Sequence, residues 1–178
     1  MKRRELDPSE RRDWLRLART ENVGPVTFAH LIARYRDAAS ALAALPELAR
    51  RGGRSKPLAT PSAAEAQAEL DAGERLGARL VCVCEPDFPP LLTALDPPPP
   101  LIWVRGRIEL LHRDAVAIVG ARIASASGQR FARALASELS QAGYVVVSGM
   151  ARGIDAAAHE GALERGTVAV LGGGIDDV

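Results

Sequence analysis

Between Ala115 and Asp155 the chain carries two strand-to-helix turns, each marked by glycine and each carrying an arginine, and this pairing restricts the fold more than any other feature. The apolar run Ala115 to Val119 leads into Gly120, Arg122 and Gly128; Val145 to Val147 leads into Ser148, Gly149, Arg152 and Gly153. Helical periodicity follows each turn, over 127–141 with Phe131, Leu135 and Leu139 on one stripe, and over 154–165. A last apolar run, Val168 to Leu171, completes a β-α-β-α-β order. Short strands alternating with helices require crossover connections and a parallel sheet, and strands that are apolar almost throughout belong to a sheet covered on both faces. Such a sheet normally continues through further strands, so the expectation is a piece of something longer.

In this topology both turns lie at the carboxyl edge of the sheet, where helix N-termini expose backbone N–H groups suited to phosphate. The spacing is not that of a dinucleotide site, because Arg122 stands where the fingerprint needs its second glycine and no acidic residue closes the second strand. A phosphate loop of the G-x-x-x-x-G-K-[ST] type is also absent. What remains is a candidate anion site of Gly120, Arg122, Ser125, Ser127, Gly128, Ser148, Gly149, Arg152 and Gly153. Guanidinium forks, hydroxyls and helix N-termini together are the ingredients for holding a phosphodiester. The alternative is that the arginines pair with Asp155 or other carboxylates and stabilise the turns. Asp155 reads as a helix-start residue that caps N–H groups or orients an arginine. His159 lies one turn further on the same face, without a nucleophile or metal site beside it. No catalytic residue, metal or cofactor is expected.

The N-terminal third is different. Apolar residues fall at helical spacing in three groups: Trp14, Leu15, Leu17 and Ala18; Phe28, Leu31, Ile32 and Tyr35; Leu42, Leu45 and Leu48. Asp7 or Ser9 can cap the first helix, and Gly24-Pro25 can open the second. Asn22 to Val26 resembles the hairpin of helix-hairpin-helix and sterile-alpha-motif-like modules, with either a DNA-phosphate or a packing role. Residues 1–56 hold thirteen Lys or Arg against seven Asp or Glu, although the whole chain has a net charge of only +1. That balance suits either nucleic acid or a solvated arginine-rich face. Arg50 to Pro61 reads as a linker, Ser62 to Leu76 as a helix ended by Gly77, and Leu80 to Cys84 as a strand on which Cys82 and Cys84 pack on one face. The proline run Pro97 to Pro100 leads into another strand, Leu101 to Arg105. No apolar run reaches the roughly eighteen residues of a membrane span, and the charged start does not read as an export signal, so a cytoplasmic protein is expected.

Five segments in order resemble the DNA-processing protein A (DprA/Smf) family: Glu85 to Leu92, Pro97 to Pro99, Leu101 to Gly106, Ala117 to Arg122 and Ser148 to His159. The resemblance implies α/β architecture: a small all-helical, sterile-alpha-motif-like domain (1–56), a linker and connecting helix (57–79), and an incomplete Rossmann-like, doubly wound, mostly parallel sheet (80–178). It further implies a non-enzymatic recombination mediator that binds single-stranded DNA, forms a homodimer and loads the RecA recombinase during natural transformation, with no membrane partner. Arg122 falls on the arginine of the family's Gly-Ser/Ala-Arg motif, and Ser148, Gly149, Arg152 and Gly153 on its second phosphate-facing turn. Ser125 and Ser127 stand where members often show threonine and tyrosine, keeping hydroxyls while losing an aromatic surface. The competing reading is a phosphoribohydrolase of the lysine-decarboxylase-like group, whose Pro-Gly-Gly-x-Gly-Thr-x-x-Glu motif does not occur in the chain but is expected just beyond Val178.

Overall fold

The structure, a computed structural model, describes residues 3–53 and 56–176. Arg54 and Ser55 of the expected linker, and Asp177 and Val178 at the end of the expected sheet domain, lie outside the described residues. The chain divides into two compact units, Met1–Gly106 and Arg107–Val178.

The first unit begins with three helices, α1 (Pro8–Ala18), α2 (Pro25–Tyr35) and α3 (Ala38–Arg51). Local chemistry sets their starts. The Asp7 carboxylate accepts the N–H groups of Ser9 and Glu10, and Glu10 reaches back to the Asp7 N–H, completing a capping box ahead of Pro8. Gly24 precedes Pro25, whose missing N–H costs nothing in the first turn, and Asp37 caps α3 through the Ser40 N–H. Their apolar faces meet in a core of Trp14, Leu15, Leu17, Phe28, Leu31, Ile32 and Leu45, with the Trp14 and Phe28 rings edge-on at 5.0 Å. In the turn before α2, Val23 is buried in the same core, so the hairpin has a packing role.

Helix α4 (Ala63–Arg75) starts from a second capping box, Ser62 with Glu65. Strands β1 (Ala78–Cys82) and β2 (Leu101–Arg105) pair antiparallel, with Leu80 opposite Trp103. The sequence reading began the sheet domain at residue 80, yet these strands form a sheet of their own and contribute Leu80, Cys82, Cys84, Leu101 and Trp103 to the helical core. The reason is steric: Trp103 lies against Gly73 of α4, where a Cβ would come within 2.2 Å of the ring. Glu85 is 4% exposed; it accepts the N–H groups of Leu6 (3.3 Å) and Cys82 (2.8 Å) and pairs with Arg11. One carboxylate thus joins the N-terminal segment, α1 and the end of β1. Burial raises both cysteine thiols, Cys84 to about 11, so they remain protonated core residues.

The second unit contains β3 (Ala115–Ala117), α5 (Ala126–Gln141), β4 (Val145–Ser148), α6 (Ile154–Ala162) and β5 (Thr167–Ala169). Its strands run parallel in the order β3-β4-β5. Ile118, Val146, Ala136, Ala158 and Ala162 form its core, with Leu139 and Ile154 against it. The expected stripe on α5 is corrected here: Phe131 and Leu135 are exposed, and Ala132, Ala136 and Ser140 are buried instead. The cause is the close approach of α6. Gly161 lies where a Cβ would come within 2.2 Å of the Arg133 carbonyl, so only small residues fit between the helices. Among the described residues no helix is long and apolar enough to cross a membrane.

Candidate functional site

The two glycine turns interlock at the carboxyl edge of the parallel sheet. A Cβ on Gly120 would meet Ile154 at 2.7 Å, and one on Gly153 would meet the carbonyl oxygens of Ala121 at 2.3 Å and Arg122 at 2.8 Å. Gly153 also has φ 85°, which disfavours any other residue. The Ile154 N–H, first in α6, donates to the Ala121 carbonyl at 3.3 Å. Arg122 and Arg152 are therefore carried on backbones in van der Waals contact.

Asp155 lies inside this junction, 5% exposed. Its Oδ1 accepts the Gly120 N–H at 3.3 Å; its Oδ2 accepts those of Gly149 at 3.2 Å and Ala151 at 3.4 Å. The chain's own carboxylate thus occupies the Gly120, Gly149 and Ala151 N–H groups, among the backbone donors that the sequence suggested for phosphate. This corrects the roles of Gly120 and Gly149: their N–H groups hold the turns together, and the glycines are needed for close approach. Ser148 is corrected in the same way, since it is buried and its hydroxyl donates to the Ile118 carbonyl at 2.6 Å, tying β4 to β3. The Gly128 N–H donates to the Ser125 hydroxyl oxygen at 3.1 Å, capping α5.

His159 and Asp155 do not form a hydrogen-bonded pair. His159 Nδ1 lies 2.9 Å from Thr167 Oγ1, and that hydroxyl donates to the Val146 carbonyl, so Nδ1 must be the donor. Nε2 is buried without a hydrogen-bond partner among the described residues. Burial lowers the His159 pKa, against the opposing influence of Asp155. Among the described residues no group of three His, Cys, Asp or Glu side chains is placed to hold a metal.

Four predicted side chains face solvent. Arg122 and Arg152 are exposed, with neither a hydrogen bond nor an ion pair among the described residues. Among the described residues no carboxylate neutralises them. Ser125 and Ser127 are exposed at the start of α5, and Arg130 donates to the Ser127 hydroxyl oxygen at 3.2 Å, bringing a third cation to the edge. Both serine oxygens accept, so both hydroxyl hydrogens remain free to donate outward.

Sequence reasoning missed two residues. Met150 has φ 63°, the left-handed region that few side chains other than glycine adopt, and it is 47% exposed. Ile123, next to Arg122, is 93% exposed. Nothing in a local motif marks a methionine for positive φ; the Asp155 bonds to its two neighbours impose it.

The family model described as DNA recombination-mediator protein A matches residues 79–178, and that described as a DprA-like N-terminal HHH domain matches residues 8–72. The protein named Smf of Synechocystis is 40% identical over 100 residues, 52% of this chain and 25% of its own length. The DNA processing protein DprA of Streptococcus pneumoniae is 39% identical over 95 residues, 50% of this chain and 32% of its own. The X-ray structure of DNA processing protein A from S. pneumoniae superimposes with a TM-score of 0.62 at 25% identity, covering 93% of this chain and 58% of that one. The chain's matched segments thus span a quarter to a third of these two curated relatives.

Proposed function

The chain belongs to the DNA recombination-mediator protein A family, and from that premise we propose that its carboxyl-edge turns bind single-stranded DNA by its phosphates. The observation that carries this reading is the pair of guanidinium groups, unpaired among the described residues, on interlocked turns whose Gly120, Gly149 and Ala151 N–H groups are taken by Asp155. With Asp155 inside, the edge is a rigid platform presenting Arg122, Arg152 and Arg130 outward. An arginine fork meets a phosphate oxygen pair through two parallel N–H bonds, and the Ser125 and Ser127 hydroxyls can donate to further oxygens. Contacts of this kind follow a backbone without reading sequence. No step of chemistry is assigned to His159, whose free nitrogen is buried.

As part of the same reading, the chain acts in DNA processing during natural transformation, in the cytoplasm and without catalysis. It works as a homodimer that hands the strand to the RecA recombinase. The test is fluorescence anisotropy with labelled oligo-dT and a duplex of equal length across a salt series. Preference for the single strand, with affinity falling steeply as salt rises, is expected. Equal binding of both, or none to either by the folded chain, overturns the proposal.

A further inference from the structure

Resting on that reading of the edge, we infer that Met150 and Ile123 form an apolar platform for the unpaired bases, so that the strand lies with its bases toward the protein while the arginines hold its phosphates. Each turn presents one guanidinium beside one exposed aliphatic side chain, Arg122 with Ile123 and Arg152 with Met150. A site for phosphate alone gains nothing from two such side chains in water, whereas a nucleotide has a charged part and a flat apolar face that need both.

Met150 adds an independent observation. Its left-handed backbone is imposed, because Asp155 Oδ2 accepts the N–H groups on either side of it, at Gly149 and Ala151. Glycine would adopt this conformation without strain, so a methionine that is 47% exposed is held here against local preference. Strain retained at an exposed position beside the unpaired arginines points to a contact made with a ligand. Duplex DNA, whose bases are stacked inside, could not reach such a platform.

The experiment compares the wild-type chain with Met150→Gly, Met150→Asn and Ile123→Ser, using oligo-dT and an oligonucleotide of equal length in which every base is replaced by an abasic residue. The wild type is expected to bind oligo-dT about tenfold more tightly than the abasic strand. Each variant should bring the two to within about twofold while leaving abasic affinity and its salt dependence unchanged. Met150→Gly should also melt a few degrees higher, because the strain is relieved; Met150→Asn tolerates the left-handed backbone and keeps the test informative if glycine loosens the turn. Equal wild-type affinity for the two strands overturns the inference while leaving the phosphate site intact. So does a parallel loss of both affinities in the variants. Failure of the wild type to bind either strand overturns the proposed function and this inference with it.

Discussion

In the first compact unit Arg4, Arg11, Arg16, Arg19, Arg50 and Arg51 each meet a carboxylate, whereas Arg122 and Arg152 of the second meet none among the described residues. Counting charges along the chain points the other way, since the excess of basic residues is N-terminal. Pairing reduces that excess, although Arg12, Arg34 and Arg36 of the first unit also meet no carboxylate among the described residues and Arg133 of the second pairs with Glu160. Arg19 reaches Glu69, fifty residues away, and Arg11 reaches Glu85, so much of the N-terminal charge is neutralised where the chain folds back. In the second unit Asp155, at the junction, is engaged by backbone N–H groups and leaves the guanidinium groups alone. A paired arginine serves stability; an unpaired one on a rigid edge is available to a ligand.

The largest expected effect tests the stabilising side of this contrast. Glu85→Ala leaves Arg11 and two buried N–H groups without their partner and should cost about 3 to 5 kcal/mol. Trp14 and Trp103 both lie in the first unit, so tryptophan fluorescence in urea reports it directly. Oligo-dT affinity below the transition should not change; a fall in affinity would mean that the two roles are not separate.

Asp155→Ala carries the test into the second unit. Three N–H groups lose their acceptor, and a loss of about 2 to 4 kcal/mol is expected in the amide exchange of β3 to β5. Unchanged protection would show that the carboxylate does not hold the turns. Arg122→Ala and Arg152→Ala should each weaken oligo-dT binding by about 1.5 to 3 kcal/mol, with stability altered by no more than about 0.5 kcal/mol. Arg19→Ala, the same change at a paired surface position, should cost at most about 1 kcal/mol of stability and none of affinity. Equal losses of affinity for the paired and unpaired arginines would dissolve the comparison.

Acid should separate the two units by a subtler effect. Burial lowers the His159 pKa, so the unfolded chain takes up this proton more readily than the folded one. Its contribution is full above the unfolded value near 6.5 and declines as pH falls below it. In the first unit Asp7 is held below its ordinary value by the Ser9 hydroxyl, Glu10 by Arg4, Asp37 by the Ser40 N–H and Glu65 by the Ser62 N–H. Those groups contribute above their unfolded values of 3.8 and 4.5, and the contribution is lost as pH falls through the lower folded ones. As pH falls below about 6.5, the protection of β3 to β5, corrected for the slower intrinsic exchange in acid, should decline while tryptophan fluorescence holds steady. His159→Gln should flatten the exchange response; if it does not, another group carries it.

Much of this fold was legible from local patterns. Asp7, Gly24-Pro25 and Ser62 act within a few residues, and so do the apolar periodicities of α1, α2 and α3; the strands after 115, 145 and 168 were found within a few residues of their observed ends. The candidate site was legible as a place and as a pair of arginines. Which of its donors face outward was not, because hydrogen bonds between turns, such as Gly120 to Asp155 across 35 positions, leave no trace in either turn alone.

The sequence by itself determined the starts and periods of the helices, the strands, the parallel connection and the two arginine-bearing turns, because capping, turn chemistry and side-chain periodicity act over a few bonds. Only the tertiary structure decided that Phe131 and Leu135 are exposed, that β1 and β2 join the helical core, and that Asp155 fills the backbone donors and holds Met150 in a left-handed conformation. Each of these depends on how closely two segments approach. That distance is set by which groups meet across the fold, at Gly161 against Arg133, at Gly73 against Trp103 and at Gly153 against Ala121.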